Sequence, residues 1–164
     1  MNFLKTVTDQ MQAQVALQSI ANAKAEQLWQ EDFAKFCDKK KAFIADCIEA
    51  GLNVIYVEED LSYPCPIPKS MSIMVKEEVL SKWLTIRVKA GWILPPGECT
   101  RTYGYEVSCT MIAEAYCHIA TATPDAQSLH DALVSAAKSA LAGSNKLVNL
   151  QENHATIQPR QSLN

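Results

Sequence analysis

The stretch that decides the fold is YGYEVSCTMIAEAYCHIATA, residues 103–122. Tyr103, Tyr105, Val107, Cys109, Met111, Ala113, Ala115, Cys117 and Ile119 take the odd positions. Thr102, Gly104, Glu106, Ser108, Thr110, Glu114 and His118 take the even ones, with Ile112 and Tyr116 breaking the rule. Successive side chains of a strand point to opposite faces, so this alternation predicts one strand with an apolar and a polar face, bent or bulged near 113–115. Ala and Met also favour helix, and a helix over 109–122 is the second reading. The strand reading makes the chain α+β.

Working outward, LTIRVKAGW (84–92) alternates more cleanly. Leu84, Ile86, Val88, Ala90 and Trp92 form an apolar face, and Thr85, Arg87 and Lys89 a basic, wetted one. PPGE (95–98) turns the chain. LNVIYVEED (52–60) has the β-branched and aromatic content of a strand. Prolines at 64, 66 and 68 make 62–70 an extended loop or edge segment. Residues 71–75 read as a short strand, and KEEVLSK after them as a helical turn or hairpin tip.

Residues 2–50 contain neither Pro nor Gly and read as helix, with Gly51 as the stop. Leu4, Val7, Met11 and Val15 step by three or four; Trp29, Phe33, Phe36, Phe43 and Cys47 continue the stripe, and Leu17, Ile20 and Leu28 bridge the two less regularly. A single rod of this length would run about 75 Å, far beyond a small domain. Either it breaks, at 19–22 or 38–41, or it packs on a second copy. The aromatic half, 28–48, is expected to dock on the core. Near the other end, TPDAQSLHDALVSAAKSALAGSN reads as a helix with Thr123 as N-cap, Pro124 at the first position and Gly143 as the stop. Residues 146–150 read as a short strand or turn, and 151–164 as a polar tail.

The bulk numbers exclude several function classes. Apolar residues make up 48% and charged residues 20% of 164 positions, which suits one globular domain with a real core. A net charge of −3 supplies no broad positive field for nucleic acid or an anionic membrane. No run of apolar residues is long enough to span a bilayer. The N-terminus has polar residues where a secretory signal has its apolar segment, so a cytoplasmic chain is expected, with its six cysteines reduced and mostly buried.

Chemical motifs are sparse. No Cys-x2-Cys occurs, and in one strand Cys109 and Cys117 would lie about 27 Å apart with His118 facing away. That arrangement does not hold zinc, and no metal or cofactor is expected. Cys65 and Cys99 lie in Pro- and Gly-rich loops, and Arg101 follows Cys99, so a thiol enzyme is one reading. Glu58, Glu59 and Asp60 read as a solvated strand end. There is no phosphate loop, dinucleotide fingerprint or nucleophile elbow.

The sequence therefore predicts one α+β domain over 1–150. A long N-terminal helix leads into an antiparallel sheet of three to five strands, and a C-terminal helix packs on that sheet. Residues 1–28 form an extending helical arm. The expected function is a non-enzymatic interaction module, an adaptor, chaperone-like protein or assembly subunit. It self-associates or holds a partner chain through Leu4, Val7, Met11, Trp29, Phe33 and Phe36. Single-stranded nucleic-acid binding through Arg87 and Lys89 is the alternative, and the thiol enzyme the second.

Overall fold

A computed structural model describes residues 2–62, 65, 67–111 and 118–157. The element order is α1 (Phe3–Glu49), β1 (Glu58–Asp60), β2 (Ser70–Val79), β3 (Lys82–Ile93), β4 (Thr102–Thr110), β5 (His118–Ala122) and α2 (Ala126–Ile157). The five strands form one antiparallel sheet in chain order, β1-β2-β3-β4-β5. The fold is α+β, with α2 packed on β4 and β5. The chain divides into two compact units, Met1–Lys39 and Lys40–Asn164.

The sheet is a meander, so each turn must suit its own chemistry. The β2–β3 hairpin closes on Leu80 and Ser81 with φ of 51° and 62°. Two positive φ values between the paired residues Val79 and Lys82 make a type I′ turn, the form that matches strand twist. Between β3 and β4, Pro95, Pro96, Gly97 and Glu98 make a tight turn. The Glu98 amide donates to the Pro95 carbonyl at 3.1 Å, and Gly97 sits at φ +81° where a type II turn requires it.

One face of the sheet is the core. Met71 and Ile73 of β2, Leu84, Ile86, Val88 and Ala90 of β3, and Tyr105, Val107 and Cys109 of β4 are buried there. The registers place Ala90 opposite Tyr105, Val88 opposite Val107 and Ile86 opposite Cys109. From α2 come Leu129, Ala132, Leu133, Ala136 and Ala140, all buried at helical spacing. From the last turns of α1 come Phe43 and Cys47. The Phe43 ring lies 5.3 Å from that of Tyr105 at 50°. Burying a Phe side chain contributes about 1.5–3 kcal/mol.

Several local expectations change. The helix over 2–50 has no break in its assignment: 19–22 and 38–41 are both helical, within Phe3–Glu49. It ends as expected. Gly51 takes φ +99°, its amide donates to the Ile48 carbonyl, and that of Leu52 to Cys47, a Schellman closure. The strand expected over 52–60 shrinks to Glu58–Asp60, because only Ser70–Ser72 of β2 lie alongside it; Ile55 and Tyr56 are exposed. The segment after 75 is the second half of β2 running to a hairpin tip, not a helical turn. Trp92 keeps the parity of Leu84 yet is 60% exposed, its indole edge-on to Tyr103.

The deciding stretch is two strands rather than one. The chain reverses between Thr110 and His118, and β5 pairs back on β4. His118 therefore lies directly opposite Cys109, on the core face, and Ile119 takes the outer face. Helix is excluded for 102–110 and 118–122; residues 112–117, Cys117 among them, lie outside the described residues. The prolines at 64 and 66 do too.

The cap of α2 is Asp125, not Thr123. The Ser128 amide donates to Asp125 Oδ1 at 2.8 Å, and the Thr123 hydroxyl donates to Oδ2 at 2.6 Å. These bonds, led by that of the Ser128 amide, hold the Asp125 carboxyl below its ordinary range. Gly143 does not stop the helix. It is buried, with no terminal turn, and α2 continues through 146–150 and 151–157 to Ile157; residues 158–164 lie outside the described residues.

Candidate functional site

Two surfaces carry the residues singled out from the sequence, and each belongs to one unit. The first is the exposed length of α1. At 100° per residue, Leu4, Val7, Met11, Val15, Trp29 and Phe33 fall within a sector about 80° wide. Leu4 is 72%, Met11 62% and Val15 69% exposed, and Trp29 and Phe33 about 40% each. Val7 is half-buried and Phe36 buried. Leu28, Trp29 and Phe33 are thus solvent-facing, although the aromatic half was expected to dock. The Trp29 and Phe33 rings stack face to face, 5.3 Å apart at 7°. Between the aliphatic and aromatic halves of the stripe, Gln18 Nε2 donates to Asn22 Oδ1 at 2.9 Å.

Leaving this much apolar surface in water is costly. Full burial of one such side chain is worth about 1.5–3 kcal/mol, of which Leu4, Met11 and Val15 forgo the greater part and Trp29 and Phe33 the lesser. Phe3, Leu17, Ile20 and Leu28 are exposed on other sides of the same helix, so the apolar surface of α1 is not confined to this sector.

The second surface is the outer face of the sheet. A cleft of about 480 Å³ is lined there by Glu58, Asp60, Ser72, Arg87, Lys89 and Glu106, among others. Strand pairing places Lys89 between Ser72 and Glu106, and Arg87 between Met74 and Ser108. Arg87 Nη2 donates to Ser72 Oγ at 3.5 Å and lies 4.0 Å from Glu58 Oε2. Lys40 pairs with Glu59 nearby. The face expected to be basic is thus mixed, its two cations set among carboxylates from β1 and β4. Nothing in the sequence pointed to this, since Glu58 and Arg87 meet only through the β1–β2–β3 register.

The thiols divide by burial. Cys47 and Cys109 are buried, Cys37 half-buried, and Cys65 and Cys99 exposed; none of these five is in a disulfide. Burial, with the Asp46 charge second, pushes the Cys47 thiol from 9.0 up to about 12, so it stays protonated at neutral pH. Tyr105 Oη donates to Asp46 Oδ2 at 2.5 Å. Burial, then that bond, raises the Tyr105 phenol above its ordinary range, and burial with the Asp46 charge raises Tyr103. These groups are arranged to hold protons, not to exchange them near pH 7. Among the described residues no three His, Cys, Asp or Glu side chains converge in a way that could hold a metal ion. No helix among them is long and apolar enough to cross a membrane.

Against models of protein families, curated proteins and solved structures, the chain finds no match.

Proposed function

We propose that this chain is a non-enzymatic interaction module, self-associating or holding a partner chain through its N-terminal helix. Residues 1–28 serve as an arm, and the body that follows, to about residue 150, as the folded domain. The observation that carries this reading is the exposed stripe of Leu4, Met11, Val15, Trp29 and Phe33. Its contrast with the packed stripe of α2 argues for an external partner. A cytoplasmic setting fits free thiols at Cys65 and Cys99.

The outer sheet face gives weaker support to nucleic-acid binding, because Arg87 and Lys89 there share their surroundings with Glu58 and Glu106. A salt-titrated assay with a single-stranded oligonucleotide tests that alternative; no affinity at low salt removes it. The main reading is tested by light scattering on the full chain, whose monomer mass is 18.1 kDa. A heavier species that reverts to monomer when Met11 and Trp29 are both changed to Glu supports it. An 18.1 kDa monomer whose residues 1–28 resist protease overturns it.

A further inference from the structure

The exposed stripe is not uniform along its length, and the way it varies specifies a partner. Its N-terminal half is aliphatic, with Leu4, Val7, Met11 and Val15. Its C-terminal half is aromatic, with the stacked pair Trp29 and Phe33. Its middle is narrow and polar, with Gln18, Asn22 and Ala25. We propose that two copies of this chain pair through α1 antiparallel, about a two-fold axis midway between Gln18 and Asn22. This rests on the self-associating form of the function proposed above.

In this register Met11 faces the partner's Trp29, and Val7 faces the partner's Phe33. Val15 lies opposite the partner's Ala25, and Gln18 opposite the partner's Asn22. Each bulky aromatic meets a slimmer aliphatic chain, so the two axes keep an even separation in the usual range of about 8–10 Å. A parallel in-register pair does the opposite. It sets Trp29 on Trp29 and Phe33 on Phe33 at one end and Val15 on Val15 at the other, forcing the helices apart where the aromatics meet and leaving a gap elsewhere.

Side-chain chemistry agrees with shape. The flat Trp29–Phe33 stack offers ring surface to the Met11 thioether, a favourable sulfur–aromatic contact. Met11 and Val15 also border a shallow trough that Thr8, Gln12, Ala16 and Ser19 continue along the flank of the sector. The Gln18–Asn22 bond lies exposed within one chain. On the two-fold axis the same amides can bond across to the partner's, and a polar pair inside an apolar seam fixes register.

Leu4, Met11, Val15, Trp29 and Phe33 all leave apolar area exposed towards such a seam, and a standard interface takes roughly 800 Å² per partner. The pairing is isologous and closes on itself, so it makes dimers rather than fibres. Leu17 and Ile20 fall outside the sector and take no part.

The test is a photo-crosslinker, p-benzoylphenylalanine, placed at Met11 in the full chain, with light scattering on the same sample. Trypsin cuts after Lys5, Lys24 and Lys35, so Met11 and Trp29 fall in separate peptides, 6–24 and 25–35. Those two residues are about 27 Å apart along one helix, so a link between the peptides is between chains. A dimer whose dominant link joins 6–24 to 25–35 is the expected result. A dimer whose links join 6–24 to 6–24, or to any segment after residue 39, overturns the antiparallel register while self-association stands. A monomer at tens of micromolar with no link overturns both.

Discussion

Two helices of this protein carry apolar stripes of similar spacing and meet opposite fates. In α2, Leu129, Leu133, Ala136 and Ala140 are buried where the helix lies on β4 and β5. In α1, Leu4, Met11 and Val15 recur at the same intervals and face solvent. Periodicity thus states that a helix has a face to bury; it does not state against what. The residue sizes say more. The α2 stripe is rich in Ala and suits close approach to a flat sheet. That of α1 has an aliphatic block and then an aromatic one, the profile on which the proposed antiparallel pairing rests.

The sharpest way to break this comparison is to empty the buried side. Leu129→Ala in the α2 stripe should cost about 2–5 kcal/mol, and Phe43→Ala, at the buried end of α1, about 3–5, in urea unfolding. Losses below about 1 kcal/mol would mean that the two stripes are alike after all. Next comes Tyr105→Phe, which strips the Asp46 carboxylate of its donor. It should cost about 1–3 kcal/mol, read by the same titration.

A subtler test uses alkali. The Cys47 thiol and Tyr105 phenol hold their protons in the folded chain more tightly than in the unfolded one. Their contribution is whole below the unfolded value, 9.0 for Cys47, and is lost as pH rises from there towards about 12. For Cys47 the slope approaches about 1.4 kcal/mol per pH unit inside that window. Thermal melts at stepped pH should show the decline, and Cys47→Val should flatten it. The smallest effect sits on α1. Val15→Ala should leave the stability of the dilute chain within about 0.5 kcal/mol, yet weaken self-association in sedimentation equilibrium.

Much of this fold was legible in residues. Gly51 ends α1, and PPGE turns the chain, because glycine at positive φ and proline before it are local requirements. The strand over 84–92 was legible because Leu84, Ile86, Val88 and Ala90 alternate without exception. The single strand read over 103–119 was a misreading of another kind. Apolar residues go on alternating in the sequence through Ile119, but the reversal inverts the parity of the faces: His118, not Ile119, shares the core face with Cys109, so the two looked far apart and are neighbours. Thr123 and Asp125 are both good caps, and only the path of the chain chose between them. Trp92 obeys its parity and still lies open, because burial needs a covering element as well as a face.

For the candidate surface, the stripe from Leu4 to Phe33 was fully written in the spacing, but its exposure was not. Composition and periodicity alone settled that there would be a long first helix, an antiparallel sheet, a capped last helix and no recognisable catalytic motif. Those are short-range matters, decided by backbone preference and by which side chains repeat on a face. Tertiary structure decided which of those faces are satisfied. It put Phe43 against Tyr105, set Arg87 among carboxylates, and left Leu4, Met11 and Val15 of α1 exposed. That division follows from physics: a preference belongs to a few neighbouring residues, whereas burial belongs to whatever surface arrives from elsewhere.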